Sequence, residues 1–211
     1  MSIELKKLLF PNVTLTREEL LNRYPERKVN VVTRFAPSPT GFLHIGGVYT
    51  SLINRKLASQ NDGVFFLRLE DTDKKREVPG SRKIITNIFN HLGIKIDEGV
   101  VSDTKEIGLY GPYVQSNRVE IYHALAAYLV EKGYAYQAGG NVYFDTSKLD
   151  NYYVFSTQAE LETLVGVRDD VDEDTNKKNK TDFVLWFTKS KFEDQALKWD
   201  SPWGVGYPGW H

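Results

Sequence analysis

The chain has 211 residues, 41% of them hydrophobic and 26% charged, which is the composition of an ordinary globular protein without bias toward disorder or collagen. A formal net charge of −1 excludes nucleic-acid binding through a uniformly basic surface, so any such contact is local. The absence of cysteine excludes disulfides and thiolate metal sites, and the four histidines show no ligand spacing.

No stretch has the length and apolarity of a signal peptide or a membrane span, so a cytoplasmic location is expected. In chain order, Thr16 followed by Glu19 forms a capping box that opens a short helix through Leu20 and Leu21, within an arm over residues 1–28. Val29, Val31, Val32 and Phe35 then make a strand that stops at a loop with Pro37, Pro39 and Gly41. From Gly47, the apolar residues Val48, Leu52, Ile53 and Leu57 recur at near-helical spacing until the turn Asn61-Asp62-Gly63.

Residues 64–69 read as a buried parallel strand with an acidic carboxyl end, Glu70-Asp71-Thr72-Asp73, which implies a βαβ crossover. Ile84, Ile85, Ile88, Phe89 and Leu92 define a further helix that Gly93 ends, and this sheet layer covers residues 29–96.

From residue 97 to 205 the pattern is that of an inserted subdomain, with residues 206–211 returning toward the first layer. It begins with a loop containing Gly108, Gly111 and Pro112. A helix with Tyr122, Leu125, Ala126 and Leu129 follows, ending near Gly133. Residues 142–144 and 183–187 are strand-like, Thr157 with Glu160 offers a second capping box, and the polar run 169–180 reads as a solvated loop.

In an open parallel sheet, ligands sit at the carboxyl ends of the strands, beside helix amino termini that favour phosphate. The segment from Thr33 to Gly47 meets those requirements. There Arg34 is able to clamp a carboxylate, and His44 to donate to a phosphate and stabilise charge developing at phosphorus. Plainer readings stand beside these. Arg34 pairs with Asp71 or Asp73, or Glu70, Asp71 and Asp73 form structural ion pairs with Arg68, Lys74, Lys75 and Arg76. Tyr110, Tyr113, Tyr122 and Tyr128 are core residues more often than platforms for RNA bases, and Lys177, Lys178 and Lys180 lie among acidic neighbours.

The run from Arg34 to Gly47 resembles the signature of glutamyl-tRNA synthetases, and His44-Ile45-Gly46-Gly47 is similar to the class I nucleotide motif. Leu67-Arg68-Leu69-Glu70-Asp71-Thr72-Asp73, Asp97-Glu98-Gly99 and Gly111-Pro112-Tyr113-Val114-Gln115-Ser116-Asn117-Arg118 resemble the same family in the same order, to about residue 136. The resemblance implies an α/β Rossmann-like (HUP-type) parallel-sheet nucleotide-binding fold, present as its first half, with an inserted α+β subdomain that binds the tRNA acceptor end. It implies ATP-dependent activation of L-glutamate to glutamyl-adenylate and transfer to tRNA(Glu), with Mg2+ accompanying the ATP.

By the same resemblance, Thr40, Gly41, His44, Gly46 and Gly47 hold ATP, and His44 serves catalysis. Arg34, Ala36, Ser38 and Glu70 contact the amino acid, Arg34 at its side-chain carboxylate and Glu70 near its α-amino group.

After about residue 137 the chain is partly similar to cysteinyl-tRNA synthetases, at Val142-Tyr143-Phe144-Asp145, at Ser201-Pro202-Trp203-Gly204 and at Pro208-Gly209-Trp210-His211. With no cysteine to complete a site around His211, neither zinc nor cysteine specificity is expected. The family's lysine-rich loop and anticodon-binding domain are not found, so a non-catalytic module with ATP or tRNA affinity stays open. Another adenylyltransferase with a similar loop is disfavoured by the segment from Arg34 to Ser38.

Overall fold

The computed structural model describes residues 15–150, 152, 174–189 and 197–209. It divides into two compact units, Glu18–Val119 and Glu120–His211, the latter together with Met1–Arg17. The elements are α1 (Arg17–Arg23), β1 (Val32–Phe35), α2 (Ile45–Gln60), β2 (Val64–Leu67), α3 (Ser81–His91), β3 (Glu98–Val100), β4 (Glu106–Ile107), α4 (Val119–Glu131), β5 (Ala135–Ala138), β6 (Asn141–Phe144), β7 (Phe183–Phe187) and β8 (Tyr207–Pro208). Helix α1 starts directly after Thr16, where the first capping box expects it, while the second box, Thr157 with Glu160, lies outside the described residues.

In the first unit the sheet order is β1-β2-β3-β4, with β1-β2 and β2-β3 parallel and β3-β4 antiparallel. The expected βαβ crossover is therefore present. Strand alternation separates two faces. Phe35 and Phe65 pack on Phe89 of α3 on one face, while Phe66 packs on Tyr113 on the other. Phe65, Leu67, Ile85, Phe89 and Val100 are all within 1% of complete burial and form the centre of the core. By area, each contributes about 1.5–3 kcal/mol.

Two expectations change. The sheet does not end near residue 96, because β3 and β4 carry it on to Ile107 and the expected boundary at residue 97 falls inside it. Strand β3 contains Gly99 at φ +111°, where a Cβ would lie 2.1 Å from the Leu67 carbonyl oxygen, so close strand contact replaces an apolar run. Helix α2 forms, but it buries its small residues: Gly47, Val48, Ser51 and Ala58 face the core. Leu52, Ile53 and Leu57 are 46%, 51% and 48% exposed. The buried Ser51 hydroxyl returns a hydrogen bond to the Gly47 carbonyl at 2.7 Å, so it adds no unsatisfied group.

The end of the amino-terminal arm, residues 24–27, is tied down within this unit. Arg27 donates two hydrogen bonds to Glu98, at 2.8 and 2.7 Å, and lies 3.7 Å from the centroid of the Tyr110 ring. The Tyr24 hydroxyl donates to the Gly111 carbonyl and that of Tyr110 to the Pro25 carbonyl. Tyr113 is 2% exposed and donates to Glu98, so both tyrosines are structural here, as the plainer reading expects.

The second unit holds helix α4 and the sheet β5-β6-β7-β8, whose pairings are all antiparallel. Trp186, Tyr143 and Val142 are fully buried, with the His123 ring 4.5 Å from that of Trp186. A polar network runs through this sheet. Asp182, 1% exposed, accepts hydrogen bonds from the Tyr136 hydroxyl, from the backbone and hydroxyl of Thr146 and from Asn179. Asp174 accepts from Tyr143, and the Lys178 backbone donates to the Tyr136 hydroxyl. The described part of the polar run, residues 174–180, is thus anchored to the sheet rather than simply solvated.

Candidate active site

The register of β1 on β2 runs Val32↔Val64, Thr33↔Phe65, Arg34↔Phe66 and Phe35↔Leu67. It continues past the strand ends, because the Arg68 N–H donates to the Phe35 carbonyl and the Glu70 N–H to the Pro37 carbonyl, both at 3.0 Å. Alternation then sets Arg34, Ala36 and Ser38 on the same face as Phe66, Arg68 and Glu70. The opposite set is the apolar one: Phe65, Leu67 and Leu69 are buried together with Pro39. The four residues expected to contact an amino acid are therefore brought together at the carboxyl ends of two parallel strands, and Arg68, weighed in the sequence only as a charged neighbour, joins them. The period-two alternation 66, 68, 70 was the signal that could have singled it out.

The acidic end of β2 is built from short-range pairs. Glu70 pairs with Arg68 at 2.5 Å, Asp71 with Lys74 at 2.9 Å and Asp73 with Arg76 at 2.5 Å. Asp71, 6% exposed, also accepts from the backbone and hydroxyl of Ser116, and its strand neighbour Leu69 bridges to Val114. Burial alone would raise the Asp71 proton affinity, but Ser116 and Lys74 outweigh it and hold the carboxyl below its ordinary range. Asp71 and Asp73 are thus engaged elsewhere. Arg34 is exposed and its side chain makes no hydrogen bond or ion pair among the described residues.

The loop after β1 leads to the amino terminus of α2. His44 is its N-cap, with Nδ1 accepting from the Gly46 N–H at 3.1 Å. A neutral imidazole that accepts at Nδ1 carries its proton on Nε2, which leaves that nitrogen as a donor on an exposed residue. The Gly47 N–H donates to the His44 carbonyl at 3.0 Å, so two of the first amides of α2 are already paired. The glycines serve packing as well. A Cβ on Gly47 would meet Leu43 at 2.5 Å and Phe35 at 3.2 Å, and one on Gly46 would meet the His44 ring at 2.9 Å. Gly41 takes φ +134°, which favours glycine, and Thr40 beside it is exposed.

Residues 30–142 match the family model described as tRNA synthetases class I (E and Q), catalytic domain. A glutamate–tRNA ligase from Clostridium perfringens is 48% identical over 135 residues, covering 63% of this chain and 25% of that protein. One from Clostridium beijerinckii is 49% identical over 140 residues, 64% of this chain and 25% of the relative. A crystal structure of a glutamate tRNA ligase from Elizabethkingia meningosepticum, in complex with its amino acid, has a TM-score of 0.46 and 39% identity, covering 65% of this chain and 23% of that one. The matched region spans about a quarter of the curated relatives.

Proposed function

The chain belongs to the family of class I tRNA synthetases of the E and Q type, matched by its catalytic-domain model. From that premise we propose that it binds ATP and L-glutamate at the carboxyl ends of β1 and β2, forms glutamyl-adenylate and delivers glutamate to the acceptor end of tRNA(Glu). The observation that carries this reading is the shared face of Arg34, Ala36, Ser38 and Glu70, in which the Arg34 guanidinium has no protein partner among the described residues. An exposed, unpaired arginine beside a paired carboxylate suits a ligand that brings its own carboxylate and ammonium.

In this mechanism Arg34 receives the side-chain carboxylate of glutamate in a bidentate pair, with Ala36 and Ser38 lining the approach. Glu70 accepts from the α-amino group. Both contacts orient the α-carboxylate, whose oxygen attacks the α-phosphorus of ATP as the bond to the bridging oxygen breaks and pyrophosphate leaves. The Nε2–H of His44 donates to phosphate oxygen as negative charge builds there. Thr40, Gly41, Gly46 and Gly47 shape the loop and helix start that receive the nucleotide, with Mg2+ arriving on its phosphates. In the second step a ribose hydroxyl of the tRNA terminus attacks the adenylate carbonyl and AMP leaves. We assign the inserted subdomain, expected over residues 97–205, to the approach of that acceptor end, and the place of action to the cytoplasm; residues 207–208, expected to return toward the first layer, instead pair with β7 in the second unit's sheet.

Calorimetry with a non-hydrolysable glutamyl-adenylate analogue and with its cysteinyl counterpart tests the reading. Selective binding of the glutamyl form is expected. Equal or absent binding of both contradicts it, whereas selective binding without glutamate-dependent pyrophosphate exchange leaves a binding module.

A further inference from the structure

We propose that Arg68 is a positioning residue for the amino-acid site, holding the Glu70 carboxylate in the one orientation that leaves an oxygen open to the ammonium of the incoming amino acid. The inference rests on the reading of Glu70 given above and adds a residue to it. Both residues are fixed by their backbones, since the Arg68 and Glu70 amides continue the β1-β2 register onto Phe35 and Pro37. Their side chains lie on the same face, and Nη2 of Arg68 donates to Oε1 of Glu70 at 2.5 Å. The second oxygen, Oε2, accepts no hydrogen bond among the described residues. Side-chain exposures of 24% for Arg68 and 32% for Glu70 make this a half-buried pair that solvent screens less than a surface one.

The geometry divides the carboxylate into a tethered and an open oxygen. A glutamate side chain is among the residues that lose most rotamer freedom on being ordered, so fixing it before the ligand arrives removes part of the cost of binding. The Arg68 Nε is buried without a hydrogen-bond partner among the described residues, so this guanidinium is not saturated by structural bonds. By contrast Arg118 and Arg27, on the same unit, bond to two carbonyls and to both oxygens of a carboxylate respectively. Lysine at position 68 would keep the charge but not the planar fork that fixes the direction of the bond.

The test compares calorimetric binding of the glutamyl-adenylate analogue with that of an otherwise identical glutaryl analogue lacking the α-amino group. In the unchanged chain the amino form binds more tightly. Arg68→Ala is expected to reduce that preference about tenfold, with the des-amino form bound as before. Arg68→Lys is expected to recover only part of the preference, and it carries the same comparison if Arg68→Ala does not fold. An equal loss for both ligands overturns the proposal by reducing Arg68 to a general structural role. A preference unchanged in both Arg68 variants but lost in Glu70→Gln overturns it while leaving the Glu70 reading intact. No preference in the unchanged chain removes the Glu70 reading, and the proposal falls with it.

Discussion

At the carboxyl ends of β1 and β2, the Arg34 guanidinium and one oxygen of Glu70 have no partner among the described residues, and exposed His44, accepting at Nδ1, keeps Nε2 for a donor role. In the sheet β5-β8 the carboxylates of Asp174 and Asp182 are instead closed by protein donors, although Trp186 Nε1 is buried without a partner among the described residues. Asp182 alone accepts from Tyr136, Thr146 and Asn179. Both regions are rich in charged and aromatic side chains, so composition does not separate them. What separates them is whether the hydrogen-bonding capacity is closed internally or left open at strand ends. The closed network stabilises the fold; the open one is available to a ligand.

The sharpest way to break this contrast is to cut the closed network. Asp182→Ala leaves the buried Thr146 donors and the part-buried Tyr136 and Asn179 donors unpaired and is expected to destabilise its unit by about 1–3 kcal/mol for each donor left unsatisfied. All four tryptophans lie at or after residue 186, so urea unfolding followed by tryptophan fluorescence reports on that unit. A loss under about 1 kcal/mol, the range of an ordinary net hydrogen bond, would show the network to be incidental.

His44 joins both roles, cap and proposed phosphate donor, and two variants separate them. His44→Ala is expected to raise the barrier to glutamate-dependent adenylate formation by about 2.7–4 kcal/mol. His44→Asn supplies another cap acceptor and should restore the roughly 1 kcal/mol of helix stability lost in the alanine variant, but not the rate. Full recovery of the rate by asparagine would reduce His44 to a cap.

Arg34→Ala probes the open side. The glutamyl analogue should lose about 1.5–3 kcal/mol of affinity, the worth of a charged hydrogen bond. ATP affinity and unfolding free energy should stay within about 0.5 kcal/mol. Equal losses for analogue and nucleotide would remove the carboxylate-reading role.

Acid separates the regions more gently. Burial pushes the His123 imidazole below its ordinary value, so the unfolded chain takes up that proton first and stability falls as pH drops below about 6.5. Burial of Asp182 opposes its ionisation, but bonds from Tyr136, Thr146 and Asn179 prevail and hold its carboxyl down to about 2. The stability that Asp182 contributes is therefore complete above the usual aspartate value near 4 and is lost as pH falls toward 2. His123→Phe should flatten only the earlier decline in fluorescence-monitored unfolding; an unaltered slope between pH 6.5 and 5 would rule out His123 as its source.

The smallest effect expected is at the exposed side of α2. Leu52→Gln should change stability by no more than about 0.5 kcal/mol. Ala58→Leu, at a fully buried position, should cost about 1–3 kcal/mol by overpacking.

That last pair shows where the sequence misleads. The spacing of Leu52, Ile53 and Leu57 announces a helix correctly, yet the buried side is chosen by Gly47, Ser51 and Ala58, whose small size permits close approach and leaves no hydrophobic signal. The strand, loop, helix and strand order around the site is legible because prolines, glycines and β-branched runs punctuate it locally. Strand β3 is missed because three residues with a central Gly99 make no apolar run. The gathering of Arg34, Ala36, Ser38 and Glu70 follows from period two once the register is known, and register is set by contacts the local sequence does not contain. The Asp182 network is illegible for the same reason, since its bonds to Tyr136 and Thr146 span 46 and 36 residues.

The most direct measurement is nuclear magnetic resonance mapping of the labelled chain as the glutamyl-adenylate analogue is added. The expected shifts are confined to the amide and side-chain signals of Arg34, Ala36, Ser38, Thr40, His44, Arg68 and Glu70, while Tyr136, Tyr143, Thr146 and Asp182 stay unmoved. Shifts centred on those latter residues, or none at Arg34 and Glu70 under saturating analogue, would contradict the assignment of the site to the open strand ends.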